Sequence, residues 1–143
     1  NEFHCRFGDT ETQPIMMRLK SSLVDLVEAG IAGNLPAEAQ WDERKTVGIV
    51  LASKGYPETS SKDDVIYGLD TEMTDAKVFH AGTAVNANGE IVTAGGRVRC
   101  VTALGNTIGE AQAKALELCE KVTFDGVQYR KDIGYRAIAR EQA

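Results

Sequence analysis

An α+β fold is predicted: a strand and helices up to about residue 43, then a small antiparallel sheet domain with one packed helix. Three observations carry this. Apolar residues Leu23, Leu26, Val27 and Ile31 recur at helical spacing, and the period changes to strand-like runs after residue 43. Two of those runs, residues 46–52 and 97–104, are rich in β-branched side chains and long enough for strands. Finally, Thr107-x-x-Glu110 opens a stretch in which Ile108, Ala111, Ala115, Leu118 and Val122 step by three and four, the mark of a capped amphipathic helix.

The elements follow in order. With a side-chain period of two, Glu2, His4 and Arg6 share one face of a strand over residues 2–7, while Phe3, Cys5 and Phe7 share the other. Gly8-Asp9 turns the chain. Thr10-x-x-Gln13 reads as a capping box with Pro14 in the first turn, opening a short helix through Ile15, Met16 and Leu19. Asp9 and Glu11 sit where the helix dipole favours anions. Ser22-x-x-Asp25 starts a second helix that Gly33-Asn34 stops. Residues 34–43, with Pro36 and the single Trp41, are polar and aperiodic, so the domain seam is placed there, dividing 1–43 from 44–143.

Beyond the seam, a buried strand over 46–52 ends in the Gly55-Tyr56-Pro57 turn, and a short strand over 65–67 lies between Asp63-Asp64 and Gly68. Residues 77–85 and 90–94 form a hairpin around Asn86-Ala87-Asn88-Gly89. Gly95-Gly96 breaks it. The next strand, 97–104, sets Val98, Cys100 and Thr102 against Arg97, Arg99 and Val101. With the capped helix this makes one helix on three or four antiparallel strands.

Several of these places carry chemistry. Glu2, His4 and Arg6 are a carboxylate, a neutral donor and a guanidinium spaced roughly 6 to 7 Å along a strand, and can hold a hard metal ion beside a phosphate oxygen. An edge strand with one wet face gives the same alternation. Lys54, beside Gly55-Tyr56-Pro57, can bring an ammonium to a phosphate, or the segment is a plain turn. Gly95-Gly96-Arg97 can offer backbone N–H groups and a guanidinium to an anion, or mark a bulge. Arg130 and Lys131, beside Asp132, are two cations for a ligand or part of a solvated ion pair. His80, alone in its strand, reads as structural.

Composition bounds the partners. A net charge of -5 argues against nucleic acid or an anionic membrane, both of which select a basic face. No apolar run approaches the roughly 20 residues of a membrane span. Cys5, Cys100 and Cys119 are odd in number and far apart, which fits small core residues in a reducing, cytoplasmic setting better than a disulfide framework.

The string EFHCRFGDTETQP, residues 2–14, resembles the signature EFNCRFGDPETQ of the phosphoribosylamine-glycine ligases, members of the ATP-grasp superfamily. VGIVLASKGYP, KVFHAGT, TAGGRVRCVTALG and YRKDIGYRAI are similar to stretches near the carboxyl end of those enzymes. The resemblance implies a carboxyl-terminal fragment, inactive alone, in which 1–43 end an ATP-grasp domain and 44–143 form the β-rich C-terminal domain. It implies ATP-dependent joining of 5-phosphoribosylamine to glycine in purine biosynthesis. Glu2 and His4 would be ligands of Mg2+ or Mn2+, and Arg6 the catalytic arginine facing the terminal phosphate of ATP. Asp9, Glu11, Lys54, Arg97, Arg130 and Lys131 would lie on the substrate side. His4 stands where the family has asparagine, and Thr10 where it has proline; imidazole suits Mn or Zn better than Mg. The alternatives are another ATP-grasp purine ligase or carboxylase, which should lack the RFGD and GGRV strings, and a noncatalytic β-rich interaction module.

Overall fold

The computed structural model describes residues 5–143. Its elements are α1 (Thr12–Arg18), α2 (Leu23–Ile31), β1 (Lys45–Ala52), β2 (Ala76–His80), β3 (Thr83–Val85), β4 (Ile91–Thr93), β5 (Arg97–Gly105), α3 (Ile108–Lys121) and α4 (Tyr135–Glu141). The two predicted β-branched runs pair with each other: β5 is the centre of an antiparallel sheet of order β1-β5-β2, with Ile49 and Val78 both opposite Val101. The sheet and its packed helix make the α+β unit that the patterning predicts.

The capped helix forms as expected, the Thr107 hydroxyl accepting from the Glu110 N–H at 3.1 Å. Its buried residues Ala111, Ala115, Leu118 and Cys119 meet Val47, Ile49, Leu51, Val101 and Ala103 on one face of the sheet. On the other face α1 rests on β1 and β5, and the Thr46 hydroxyl donates to the Pro14 carbonyl at 3.4 Å. Covered on both sides, β5 buries every residue except Arg97. The expected strand over 97–104 thus forms, and the two sides on which its residues alternate are both packed, as in a central strand covered on each face.

The predicted single strand over 77–85 is divided. β2 ends at His80, and β3 belongs to a second, two-stranded sheet with β4. The crossing is at Ala81 and Gly82, whose N–H groups donate to the Val98 and Arg97 carbonyls at 3.1 and 2.8 Å. Only glycine fits there, because a Cβ on Gly82 would stand 2.7 Å from the Arg97 carbonyl oxygen. The expected strand over 65–67 is reduced to two isolated bridges, Val65 with Val92 and Tyr67 with Thr123. The β3–β4 turn matches the prediction: Gly89 has φ +81° and the Asn86 carboxamide oxygen accepts from the N–H groups of Asn88 and Glu90, both at 2.9 Å.

The N-terminal expectations fare differently. Residues 1–4 lie outside the described residues, and 5–7 are bend and coil with Cys5 exposed, contrary to a strand carrying it into a core. Among the described residues no neighbour takes the backbone hydrogen bonds that a strand at 5–7 needs. The capping box at Thr10 is also corrected. α1 starts at Thr12 after Glu11, which makes no side-chain cap, because the Thr12 hydroxyl bonds the Gly8 carbonyl and closes a turn that removes Thr10 from capping geometry. α2 is capped as predicted, with Ser22 accepting from the Asp25 N–H at 3.3 Å. α4 has no counterpart in the predicted elements; it begins after Gly134 and docks on α3, the Glu141 carboxylate accepting from the Ile108 N–H at 2.8 Å.

Candidate functional site

The break between β2 and β3 and the start of β5 meet at one place. The Ser53 N–H donates to the Gly96 carbonyl at 2.9 Å, which draws the turn after β1 against Gly95-Gly96. This turn carries Tyr56, whose ring lies so close to Gly96 that a Cβ there would come within 2.4 Å of it. Gln128 fixes the same turn, its side-chain N–H donating to the Ser53 and Tyr56 carbonyls at 2.9 and 3.2 Å. The Tyr56 hydroxyl accepts from Arg97 Nη1 at 3.0 Å, and Arg97 Nε is 2.7 Å from Asp9 Oδ2. Asp9, Tyr56, Ala81, Gly82, Gly96 and Arg97 line an open cleft of about 520 Å³. Tyr56 also walls a neighbouring cleft of about 300 Å³ with Gln128, Tyr129 and Arg130.

Beneath this surface lies an unusual charge. Arg99, two residues along β5 and opposite His80 in β2, is 1% exposed, and its Nε and Nη2 have no hydrogen-bond partner among the described residues. Burial pushes its pKa down. His80 bonds Thr83 Oγ1 through Nδ1 at 2.9 Å, and partial burial, then the charge of Arg99, holds its pKa below the usual value. Two arginines two residues apart, one exposed and one buried, with one carboxylate at the first, make a place suited to an anion.

Of the residues singled out in the sequence, the fold brings Asp9 and Arg97 into contact across 88 positions of chain. Arg130 lies at the adjoining cleft, tied to Asp132 by two hydrogen bonds of 2.9 and 2.7 Å that hold the Asp132 carboxyl below its ordinary range. Lys54 is exposed on the Tyr56 turn, its side-chain carbons close to Gly126. Lys131 and Glu11 are exposed, the Glu11 carboxylate lying against Gly8. Arg6 is exposed and donates to the Phe7 carbonyl at 3.1 Å. Glu2 and His4 lie outside the described residues. Tyr56 and Arg99 were not singled out as site residues: Tyr56 read as a turn residue, and Arg99 as one member of an alternating strand. A larger cleft of about 670 Å³, lined by Glu72, Met73 and Lys77 among others, lies elsewhere and holds none of these residues.

The profile of the family described as "Phosphoribosylglycinamide synthetase, C domain" matches residues 46–136. The chain belongs to that family. The phosphoribosylglycinamide synthetase C domain thus takes in β1 to β5, α3, Tyr56, Arg97, Arg99 and Arg130, and leaves Asp9 on the segment before it. The chain is 59% identical to "Phosphoribosylamine--glycine ligase" of Pseudomonas aeruginosa over 143 residues, 99% of this chain and 33% of that protein. It is 58% identical to the ligase of the same name from Vibrio parahaemolyticus, with the same coverage of 99% and 33%. A crystal structure of phosphoribosylamine-glycine ligase from Thermotoga maritima superposes with a TM-score of 0.73 at 38% identity, covering 90% of this chain and 31% of that one. The chain spans about a third of the length of the relatives it matches.

No group of three or more His, Cys, Asp or Glu side chains among the described residues is placed to hold a metal ion. The described residues do not by themselves fit Mg2+ or Mn2+, and the pair expected to do so, Glu2 and His4, lies outside them. No helix among the described residues is long and apolar enough to cross a membrane.

Proposed function

We propose that this chain is the carboxyl-terminal part of a phosphoribosylamine-glycine ligase, with residues 1–43 ending an ATP-grasp domain and 44–143 supplying the acceptor side of the site. The observation that carries the reading is that ligases of this name match 99% of the chain. The Arg97 cleft supports it by offering a guanidinium oriented by a tyrosine hydroxyl, beside a second, buried arginine.

In the reaction, an oxygen of the glycine carboxylate attacks the γ-phosphorus of ATP; the new O–P bond forms as the bridging P–O bond breaks, giving an acyl phosphate and ADP. The amine of 5-phosphoribosylamine then attacks the acyl carbon. The C–N bond forms, inorganic phosphate leaves with the C–O electron pair, and the nitrogen loses a proton. Arg97, held by Tyr56, binds the ribosyl phosphate at the start of β5, with Lys54, Arg130 and Lys131 at the rim. That contact places the amine without entering the chemistry, which is positioning through a remote group. Arg6 faces the terminal phosphate of ATP and stabilises the charge developing on its oxygens. A divalent metal at Glu2 and His4 belongs to the same proposal.

The test is ADP release that depends on glycine and phosphoribosylamine, measured on the polypeptide extended upstream as in the relatives. The extended chain turns over while residues 1–143 stay at background. Arg97→Met in the extended chain raises KM for phosphoribosylamine about 10- to 100-fold, the worth of one hydrogen-bonded charge, and changes KM for ATP far less. An extended chain without phosphoribosylamine-dependent turnover would overturn the function, and an unchanged KM would overturn the role of Arg97.

A further inference from the structure

We propose that Asp9 is the resident counter-anion of Arg97, which an incoming phosphate monoester must displace, so that filling the cleft releases the segment before α1. The inference rests on the reading of the Arg97 cleft as a phosphate site and adds a competitor to it.

Three observations point this way. The first is the manner in which the guanidinium is held: Asp9 Oδ2 lies 2.7 Å from Nε, Nη1 donates to the Tyr56 hydroxyl at 3.0 Å, and the pair lacks the two hydrogen bonds that join Arg130 to Asp132. An ion pair without that fork leaves unused the two-point grip that a phosphate makes on an arginine. The second is exposure. The Arg97 and Asp9 side chains are 48% and 58% exposed, and an ion pair so open to water shifts an equilibrium by at most about fivefold, which a dianion in the same cleft overcomes. The third is the buried positive charge of Arg99 two residues along β5, which adds to the attraction for a second negative charge.

Displacement has a mechanical consequence. Asp9 lies outside the family domain, on the stretch that leads into α1. The side-chain hydrogen bonds of that stretch among the described residues are local, Arg6 to the Phe7 carbonyl and Thr12 to the Gly8 carbonyl. Among the described residues, the Arg97–Asp9 pair is the ion pair joining residues 5–11 to β5. Phosphate at Arg97 therefore frees the segment that carries Arg6, and the acceptor site and the arginine proposed to face ATP become linked through one carboxylate. By reciprocity, whatever draws Asp9 away favours phosphate binding.

The probe is inorganic phosphate, titrated calorimetrically at low ionic strength into the 143-residue chain and into its Asp9→Asn and Arg97→Met variants. Asp9→Asn keeps the size of an exposed side chain and should fold as the parent. The expected result is phosphate binding about three- to fivefold tighter in Asp9→Asn than in the parent, and lost in Arg97→Met. Hydrogen exchange of residues 5–12 in the parent should accelerate when phosphate is present and be already fast in Asp9→Asn. Equal affinity in parent and Asp9→Asn, with Arg97→Met still weakened, overturns the displacement while the phosphate cleft stands. Weaker binding in Asp9→Asn overturns it too, making Asp9 a support of the ligand. Binding that ignores Arg97→Met, or no binding in any of the three chains, overturns both the displacement and the cleft. Unchanged exchange at 5–12 on adding phosphate removes the release of the segment.

Discussion

Gly82 is where the chain passes from one sheet to the other and where the Arg97 cleft is formed, so Gly82→Ala tests fold and site together. The new Cβ would stand 2.7 Å from the Arg97 carbonyl oxygen, 3.0 Å from Gly95 Cα and 3.1 Å from Gly95 N. All three are backbone atoms, which cannot swing aside as a side chain would. The carbonyl contact is roughly 0.8 Å short of a van der Waals separation, so the strands must part. Parting weakens the Gly82 N–H bond to Arg97 and the Ala94 N–H bond to Gly82, both 2.8 Å, each worth about 0.5 to 1.5 kcal/mol. Alanine stiffens the unfolded chain and returns about 0.4 to 1 kcal/mol. With the strain of the displaced backbone added to these terms, the net expectation is a loss of about 1 to 3 kcal/mol, in the range of other overpacked sites. For a chain of this length that lowers Tm by about 4 to 12 °C, read by circular dichroism. Gly95→Ala is the control, since its Cβ would meet Gly82 Cα at an ordinary 3.4 Å; its Tm should stay within about 2 °C of the parent. A Gly82→Ala protein that melts with the parent, or a Gly95→Ala protein that falls as far, would refute the steric account.

Two further outcomes are expected. His80, whose pKa partial burial and Arg99 hold below about 6.5, should titrate below that value in an NMR pH series, and Arg99→Met should move the midpoint up. Because the folded-state pKa is the lower one, the unfolded chain binds the extra proton, so His80 lowers stability as pH falls below about 6.5 toward the folded pKa, and His80→Gln should flatten Tm against pH in that window. Leu118→Ala removes a fully buried side chain between α3 and the sheet and should cost about 3 to 5 kcal/mol in urea unfolding, where a loss under about 1 kcal/mol would mean that the helix is not seated as described.

Much of the fold was legible because it is locally encoded. The Ser22 and Thr107 caps formed within three residues of themselves, the three- and four-residue steps of α3 became its buried face, and Asn86 with Gly89 made the expected turn. Such features depend on dihedral preference and side-chain spacing, which a linear string records. The family was legible for the same reason, since its motifs are contiguous strings.

Tertiary structure alone decided the rest. Alternation tells which residues share a side of β5 but not what covers each side; α3 and α1 cover both, and that is why even Arg99 is buried. The 77–85 run had the propensity of one strand, but the close approach of Gly82 to Arg97 and Gly95 split it between two sheets. The Asp9–Arg97 pair and the Arg97–Tyr56 bond join residues 88 and 41 positions apart. Propensity and periodicity are short-range, falling off within a turn or two of chain, whereas an ion pair or a cleft depends on which distant backbones the packed core brings together.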